Sequence, residues 1–297
     1  MKKFLLKIVL YVFLAVLFFN MVSWCSLYFL RNSSFYKPGF LTHEVKETHF
    51  DYIIIGSSIG LTSLNTTQID STLKINGLNL SIDDTSLNSN YLMLEHFYHQ
   101  NKKAKYCVLA INYWDLANET PTINDNDYRF LPFVNDDLVA DYYNELEEGY
   151  FKPLTWSRYL PFIGVGYYNT EVFYPSILAA LKPEKRNRFD AKGNYSYPNI
   201  GNLKPKKKHV VQLQWKNPFL KRITQLCVKN GTQLIVYQAP NFGVTIKNHN
   251  STFDFINHSD FLAAVNCFYD EVHVNENGRK LESQAFANDL KQIMIKK

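Results

Sequence analysis

The sequence predicts an α/β protein, a three-layer sandwich whose central sheet is mainly parallel and doubly wound, with one transmembrane helix at its N-terminus. Three observations lead to this prediction: a long apolar segment at the start of the chain, several short apolar runs that end in glycine or polar residues, and helical periods between those runs. With 297 residues, of which 46% are hydrophobic, the chain can bury a full core.

The N-terminal segment is almost wholly apolar over residues 4–30. A helix of this length, at about 1.5 Å per residue, would cross a hydrocarbon layer of ~30 Å. Lys2 and Lys3 precede the main apolar run, and Lys7 lies near its start. Because positive charge is retained on the cytoplasmic side, we expect the rest of the chain to lie outside the cytoplasm.

This segment predicts an uncleaved membrane anchor at residues 1–31 and an extracytoplasmic domain at 32–297, in the periplasm or at the cell surface. A cleaved signal peptide is the alternative, since it also begins with lysines and an apolar stretch. Residues 20–25 lack the small-x-small pattern of a cleavage site, and Trp24 before Cys25 is unlike a lipoprotein signal. We therefore favour the anchor.

Short apolar runs predict the strands of the sheet. A fully buried strand reads as a continuous apolar run that stops at a turn, and four runs fit this pattern: 51–55, 75–80, 106–111 and 233–237. The clearest helices are predicted at 218–229, which stops at Asn230 and Gly231, and at 278–295. Alternation of helix and strand implies a mainly parallel sheet with helices on both sides.

The segment at about 115–205 breaks this alternation. It is rich in Tyr, Phe, Asn and Pro, and its apolar periods are short, as at 138–146 and 172–181. We interpret it as a helical insertion or cap over the sheet.

Composition argues against nucleic acid and metal. The net charge is +5, but the basic residues are spread along the chain except for the run at 204–208, which we interpret as a solvated loop. No two cysteines have metal-ligand spacing, so no zinc site or other cofactor is predicted. Cys25 lies in the apolar segment and Cys107 in a predicted strand, which leaves Cys227 and Cys267 as the one pair considered for a disulfide.

Two further groups are interpreted without a metal. His96 and His99 lie three apart on a predicted helix with no third ligand, so we expect them on a solvated helical face. Several acidic residues are expected on loops of the insertion, where calcium binding is disfavoured: Asp125, Asp127, Asp136 and Asp137.

Polar residues at the ends of predicted strands are candidates for chemistry, because the carboxyl ends of parallel strands form the functional edge of such a sheet. Gly56, Ser57 and Ser58 follow the first strand. Glycine permits a sharp strand-to-helix turn that would project a serine hydroxyl above the sheet. By itself the motif also fits a turn with an N-cap serine.

A stronger signal lies near the C-terminus. Asp270 precedes His273 by three residues, close enough to hold its Nδ1 so that Nε2 faces a nucleophile as a general base. A surface pair is the alternative, but the Asn-Glu-Asn-Gly sequence that follows fits a loop leading into the last helix. Asn112 directly follows the third predicted strand.

At these positions the chain resembles the SGNH (GDSL-type) hydrolase and acyltransferase superfamily, over roughly residues 50–115 and 215–295. The family's Gly-Asp-Ser block corresponds to Gly56-Ser57-Ser58, with Ser57 in place of the usual Asp. Its Asp-x-x-His block corresponds to Asp270 through His273. The resemblance implies a flavodoxin-like sheet and a Ser58, His273, Asp270 triad that forms an acyl-serine intermediate.

The resemblance also implies an oxyanion hole. Asn112 aligns with the amide donor of the family's Gly-x-Asn-Asp block, although Ala110 and Tyr113 depart from that pattern. No glycine follows the second strand, so the N–H of Ser81 takes the place of the usual glycine N–H, together with the N–H of Ser58. Loss of one such donor costs on the order of 100- to 1,000-fold in rate.

The N-terminal anchor and the altered blocks are similar to membrane-anchored proteins that acylate cell-surface polymers, such as the D-alanyl-lipoteichoic acid transfer protein and alginate O-acetylation proteins. The resemblance implies transfer of an acyl group, above all acetyl, to or from a carbohydrate polymer, beside a multi-pass membrane O-acyltransferase. Two alternatives stay open. One is an esterase or deacetylase that uses water, and the other is a non-catalytic anchored module that binds a glycan or a partner.

Overall fold

The computed structural model describes residues 1–200, 203–204, 206–248 and 252–296. Two compact units are present, one formed by residues 1–46 and 127–187 and the other by 47–126 and 188–297. The strands are β1 (His49–Gly56), β2 (Gly77–Asn79), β3 (Lys103–Ile111), β4 (His209–Gln212), β5 (Gln233–Gln238), β6 (Val244–Lys247) and β7 (Asp254–Asn257). The α-helices are α1 (Lys2–Arg31), α2 (Lys37–His43), α3 (Ser58–Ser63), α4 (Thr66–Leu73), α5 (Leu87–His99), α6 (Tyr113–Ala117), α7 (Asp137–Leu146), α8 (Pro153–Trp156), α9 (Pro161–Tyr167), α10 (Tyr174–Leu181), α11 (Pro218–Lys229) and α12 (Glu276–Ile295).

A five-stranded sheet, parallel throughout, forms the centre of the second unit, with the strand order β2-β1-β3-β5-β7. The chain first moves outward from β1 to β2 and then returns past β1 to β3. This reversal creates a switch point between β1 and β3, where the loops leaving the two strands diverge and open a crevice. β4 and β6 form a separate parallel pair.

Both faces of the sheet are covered by helices. Side chains alternate between the faces along each strand, and Tyr52, Ile54 and Tyr237 belong to a core that also contains Phe286 and Leu290 of α12. Helices α3 and α4 pack on this face as well. The opposite face is covered by α5 and α11.

The first unit is helical. Helix α1 has a mean hydropathy of 2.4 over its most apolar 18 residues, and this window is not buried, so the helix is long and apolar enough to span a membrane. Near its C-terminal end, Leu27 and Leu30 are buried. The helix packs against α9 and α10. Its last residue, Arg31, pairs with Asp136 at 2.9 Å.

The predicted α/β class with a parallel sheet and an N-terminal apolar helix is confirmed, and the four predicted strands correspond to β1, β2, β3 and β5. Helix α11 has the predicted bounds, and α12 starts two residues earlier than predicted. The strands β4, β6 and β7 were not predicted. The interpretation of residues 115–205 as an insertion stays a prediction. Within this range, residues 127–187 group with the N-terminal segment.

The cysteines, the lysine run and two polar residues expected at the surface complete the comparison with the predictions. Cys227 and Cys267 are both free thiols. The described lysines of the 204–208 run are exposed, as expected, and Pro205 lies outside the described residues. The prediction of a solvated face is wrong for His96, which is fully buried on α5. Asp127 is likewise buried, where its carboxylate accepts a hydrogen bond from Tyr142 at 2.6 Å.

Candidate active site

The turn after β1 carries the candidate nucleophile. Ser57 occupies the N-cap position of α3, but its side chain makes no capping hydrogen bond, and Ser58 is the first residue of the helix. The turn is tight because a Cβ at Gly56 would lie 2.8 Å from the carbonyl oxygen of Ala110 on β3. A Cβ at Gly60 would lie 2.9 Å from the Ala110 Cβ. Only glycine at these two positions lets α3 approach the sheet so closely.

Ser58, His273 and Asp270 form one continuous hydrogen-bonded chain. The Oγ of Ser58 lies 2.8 Å from Nε2 of His273. On the other side of the ring, Nδ1 lies 2.9 Å from both carboxylate oxygens of Asp270. Because a carboxylate only accepts hydrogen bonds, Nδ1 carries the proton and Nε2 accepts the serine O–H. The three side chains therefore have the connectivity of a nucleophile, its general base and the group that orients the base.

Local backbone contacts fix the Asp270 carboxylate. Its Oδ1 accepts hydrogen bonds from the backbone N–H groups of Val272 and His273, both at 2.8 Å. Burial alone would raise the pKa of Asp270, but the hydrogen bonds from the His273 ring and these two amides outweigh it and hold the pKa below its usual range. Asp270 is therefore an anion at neutral pH, as the orienting role requires.

The loop that carries His273 is held at the start of α12. Asn275 is the N-cap and accepts from the N–H of Gly278 at 3.1 Å, while its amide donates to the carbonyl of Asn266 at 2.9 Å. A Cβ at Gly278 would lie 2.1 Å from the carbonyl oxygen of Cys267, so the helix start and the loop touch backbone to backbone. This close contact anchors the segment that presents His273 to the sheet.

Asn112, a predicted oxyanion donor, lies at the site with both of its amide hydrogens engaged. Its Nδ2 lies 3.0 Å from Ser57 Oγ and 3.0 Å from a carboxylate oxygen of Asp115. Its Oδ1 is buried and has no hydrogen-bond partner within the described part of the chain. To donate to an oxyanion, Asn112 must release one of these two partners.

Ser81, the other predicted donor, is also engaged. Its N–H donates to Oδ1 of Asn79 at 3.0 Å, and its side chain is buried. By contrast, Ser58 is the first residue of α3, so its N–H has no acceptor within the helix. Of the three predicted oxyanion donors, Ser58 is the one whose N–H is left without an intrahelical acceptor by its position at the start of α3.

Asp115 is a site residue that sequence reasoning placed only at the edge of the insertion. Burial raises its pKa to about 6, and the hydrogen bond from Asn112 opposes this rise without cancelling it. The sequence feature that could have identified Asp115 is its position one helical turn after Asn112, beyond the carboxyl end of β3. An acidic side chain so placed must point into the crevice or back at Asn112, and here it contacts Asn112.

Two tyrosines support the imidazole of His273 and were likewise missed. The ring of Tyr197 lies 5.1 Å from that of His273, centroid to centroid, and stacks in parallel on Tyr269 at 4.3 Å. The backbone N–H of Tyr269 also donates to the carbonyl of His273 at 2.9 Å. Burial, with the nearby carboxylates of Asp83 and Asp270, raises the pKa of Tyr197 to about 12, so its hydroxyl stays neutral.

An open pocket of about 450 Å³ lies over Ser58 and His273. Its walls are mainly polar and come from the loops that follow β1, β2 and β3, together with the His273 loop; they include Ser57, Asp84, Ser86, Asn112, Trp114, Asp115, Asn124 and Asp125. Such a pocket can admit a polar, hydroxyl-bearing molecule to the serine. Among the described residues, no group of three metal-binding side chains is found.

Comparison with known proteins assigns no family. No family model matches the chain, and no curated protein matches it.

Proposed function

We propose that this chain is a membrane-anchored Ser-His-Asp enzyme of the SGNH type, which transfers an acyl group, acetyl above all, to or from a cell-surface or secreted polysaccharide. The hydrogen-bonded chain from Ser58 through His273 to Asp270 carries the proposal. The strand order supports the SGNH assignment, since the five strands of the sheet, counted along the chain, are arranged 2-1-3-4-5 as in flavodoxin-like sheets. Ser58 and Asn112 follow the two strands that flank the switch point.

The proposed reaction has two steps. In the first, Ser58 Oγ attacks the acyl carbonyl as His273 Nε2 takes the serine proton, and the leaving alcohol then takes that proton as the C–O bond breaks. In the second, His273 takes the proton of an acceptor hydroxyl as that hydroxyl attacks the acyl-serine; the bond between the acyl carbon and Ser58 Oγ then breaks, and His273 returns the proton to Ser58. Asp270 stabilises the imidazolium in both steps. The Ser58 N–H binds the oxyanion, joined by Asn112 once one of its partners is released.

The proposal includes a location and a partner. Helix α1 would be an uncleaved anchor with its lysine-bearing end in the cytoplasm, which places the catalytic unit outside. A multi-pass membrane O-acyltransferase would bring the acyl group across the membrane. Co-purification of such a protein with the full-length chain from detergent-solubilised membranes tests the partnership.

Labelling with a fluorophosphonate tests the serine chemistry. The full-length protein in detergent is expected to be labelled at Ser58, and Ser58→Ala is expected to lose the label. Ser71→Ala, which alters an exposed serine on α4, is the matched control and should be labelled like the wild type. Absence of any label, combined with absence of an acyl-Ser58 peptide by mass spectrometry after incubation with an aryl acetate, would contradict the enzymatic proposal and favour a binding module.

Water as the acceptor defines the esterase alternative, which the openness of the pocket to solvent favours. The two reactions are separated by the fate of the acyl group. With an aryl acetate and an oligosaccharide acceptor, a transferase yields acetylated sugar and less free acetate as the acceptor concentration rises. Acetate release that acceptors do not reduce would identify an esterase.

A further inference from the structure

The segment that contains α9 and α10 exposes an unusually apolar surface. From Tyr159 to Leu181, a stretch of 23 residues, the only charged side chain is Glu171. Seven large side chains of this stretch are exposed and are called here the apolar surface: Tyr159, Leu160, Tyr167, Phe173, Tyr174, Ile177 and Leu181. Exposure reaches 79% for Tyr159 and 75% for Leu181. Large apolar side chains exposed in such number within one short stretch are typical of an interaction site.

Helix α10 exposes its large apolar side chains and buries its small ones, the reverse of an ordinary surface helix. Tyr174, Ile177 and Leu181 are spaced three and four residues apart, so they lie on one face of the helix and all point outward. The buried residues of the same helix are small, among them Ser176 and Ala179. The large apolar side chains therefore face away from the protein, as on a helix whose outer surroundings are apolar.

The position of α9 along α1 indicates what those surroundings are. The backbone N–H of Phe162 lies 3.5 Å from Oδ1 of Asn20, so the start of α9 lies at the level of Asn20. About 20 residues cross a hydrocarbon layer of ~30 Å, and counted from Phe4 they end at Ser23. Asn20 then lies about three residues, or ~5 Å, inside the outer end of the hydrocarbon layer. A span that starts later would place α9 deeper still.

Side chains near this level have the pattern of a membrane interface. Trp24 and Tyr28 of α1 are exposed and stacked at 5.6 Å, where the aromatic belt of a spanning helix is expected. Beyond the end of α10, Lys182 and Lys185 are exposed and available to anionic headgroups. Aromatic residues, apolar residues and flanking lysines thus occur together, as they do on helices that lie in an interface.

We infer that α9 and α10 form a second membrane-contact element, which lies in the outer leaflet beside α1 with the apolar surface in contact with lipid. The inference rests on the proposed membrane anchor and is independent of the serine chemistry. Its consequence is that the first unit is held by two elements, a spanning helix and an interfacial one, so that the unit cannot rotate freely about α1.

Depth-dependent fluorescence quenching tests this contact. In a Cys25→Ser background, in which the other three cysteines are buried, single bimane labels are placed by Tyr174→Cys on the apolar surface, Phe13→Cys on the exposed middle of α1, and Asn144→Cys on the exposed side of α7. The full-length protein is reconstituted into nanodiscs of phosphatidylcholine and phosphatidylglycerol, with nitroxides at shallow or deep acyl positions.

We expect shallow nitroxides to quench the label at position 174 at least about twofold, and deep nitroxides to quench the label at position 13, while the label at position 144 is unaffected. Quenching at 13 without quenching at 174 would leave the anchor standing and overturn the inference. If the cysteine at position 174 were not quenched but were still protected from aqueous maleimide in native membranes, the apolar surface would be covered by another protein and not by lipid. Absence of quenching at all three positions would reject the anchor as well.

Discussion

Asp115→Asn is expected to make the protein more stable at neutral pH while having almost no effect in acid. Burial raises the pKa of Asp115 from its ordinary value of 3.8 to about 6. The folded state therefore binds this proton more tightly than the unfolded state, and stability is lost as pH rises from about 4 to about 6. The difference between a pKa of 3.8 and one of about 6 corresponds to roughly 3 kcal/mol of lost stability at neutral pH.

Asparagine removes this penalty because it is neutral at every pH. Its Oδ1 can still accept the hydrogen bond that Asn112 now donates to Asp115 at 3.0 Å. For a unit of this size, about 1 kcal/mol shifts the melting temperature by roughly 2–4 °C. We therefore expect Asp115→Asn to melt about 6–12 °C above the wild type at pH 7.5 and within about 2 °C of it at pH 4.

Differential scanning fluorimetry of the full-length protein in detergent measures both melting temperatures. Asp125→Asn is the matched control, because it removes the same charge from an exposed position on the same pocket. It should change stability by less than about 0.5 kcal/mol at either pH. Equal stabilisation by the two variants, or a stabilisation by Asp115→Asn that does not depend on pH, would refute the assignment of the effect to the buried carboxyl.

Three further predictions concern the triad, the buried His258–Glu282 pair and the packing of α3. Asp270→Asn should slow fluorophosphonate labelling by about 1,000- to 10,000-fold, because an amide no longer holds the His273 tautomer; unchanged labelling would remove Asp270 from the triad. His258→Leu should cost about 3 kcal/mol, because the buried Glu282 carboxylate loses its pairing with His258 and keeps only the hydrogen bond from Tyr237 among the contacts described, with labelling of the folded protein unchanged. Burial lowers the pKa of His258, but its two carboxylate partners, Glu282 and Asp289, raise it by more, so the pKa lies above its ordinary value. The stability that protonated His258 contributes is therefore lost as pH rises above ~6.5. Denaturation curves should show a smaller cost of His258→Leu over that range. Gly60→Ala should cost about 1–3 kcal/mol and slow labelling, because the new Cβ would lie 2.5 Å from Ser81 Oγ.

The proximity of Ser58, His273 and Asp270 could be predicted from the sequence because each part of the arrangement is local. A glycine-serine turn after a buried strand and an aspartate three residues before a histidine need no knowledge of distant packing, and parallel strands bring their carboxyl ends to one edge. The structure places Ser58 Oγ 2.8 Å from His273 Nε2, at the edge of the sheet where both side chains were expected. The strands that were predicted are the ones buried on both faces, whose apolar runs are continuous.

The oxyanion site could not be predicted in the same way, because it depends on where side chains point after packing. The sequence placed Asn112 at the end of β3, but not its hydrogen bonds to Ser57 and Asp115. Likewise, the engagement of the Ser81 N–H depends on the side chain of Asn79. Strand β7 was missed for a different reason: only one of its four residues, Ile256, is buried, so it has no apolar run.

The proposed nucleophile, Ser58, and its proposed base, His273, are positioned by different parts of the fold, and this difference determines how the site should respond to substitution. Ser58 is fixed by the sheet, through the close packing of α3 on β3. His273 is fixed by a loop, through Asn275, Gly278 and the contact of its ring with Tyr197. Because loops open more readily than central strands, loosening of the His273 loop is the first event expected to break the bond between Ser58 and His273. Substitution of the partly exposed Tyr197 should therefore slow labelling with little loss of stability, whereas substitutions beneath α3, such as Gly60→Ala, should affect both.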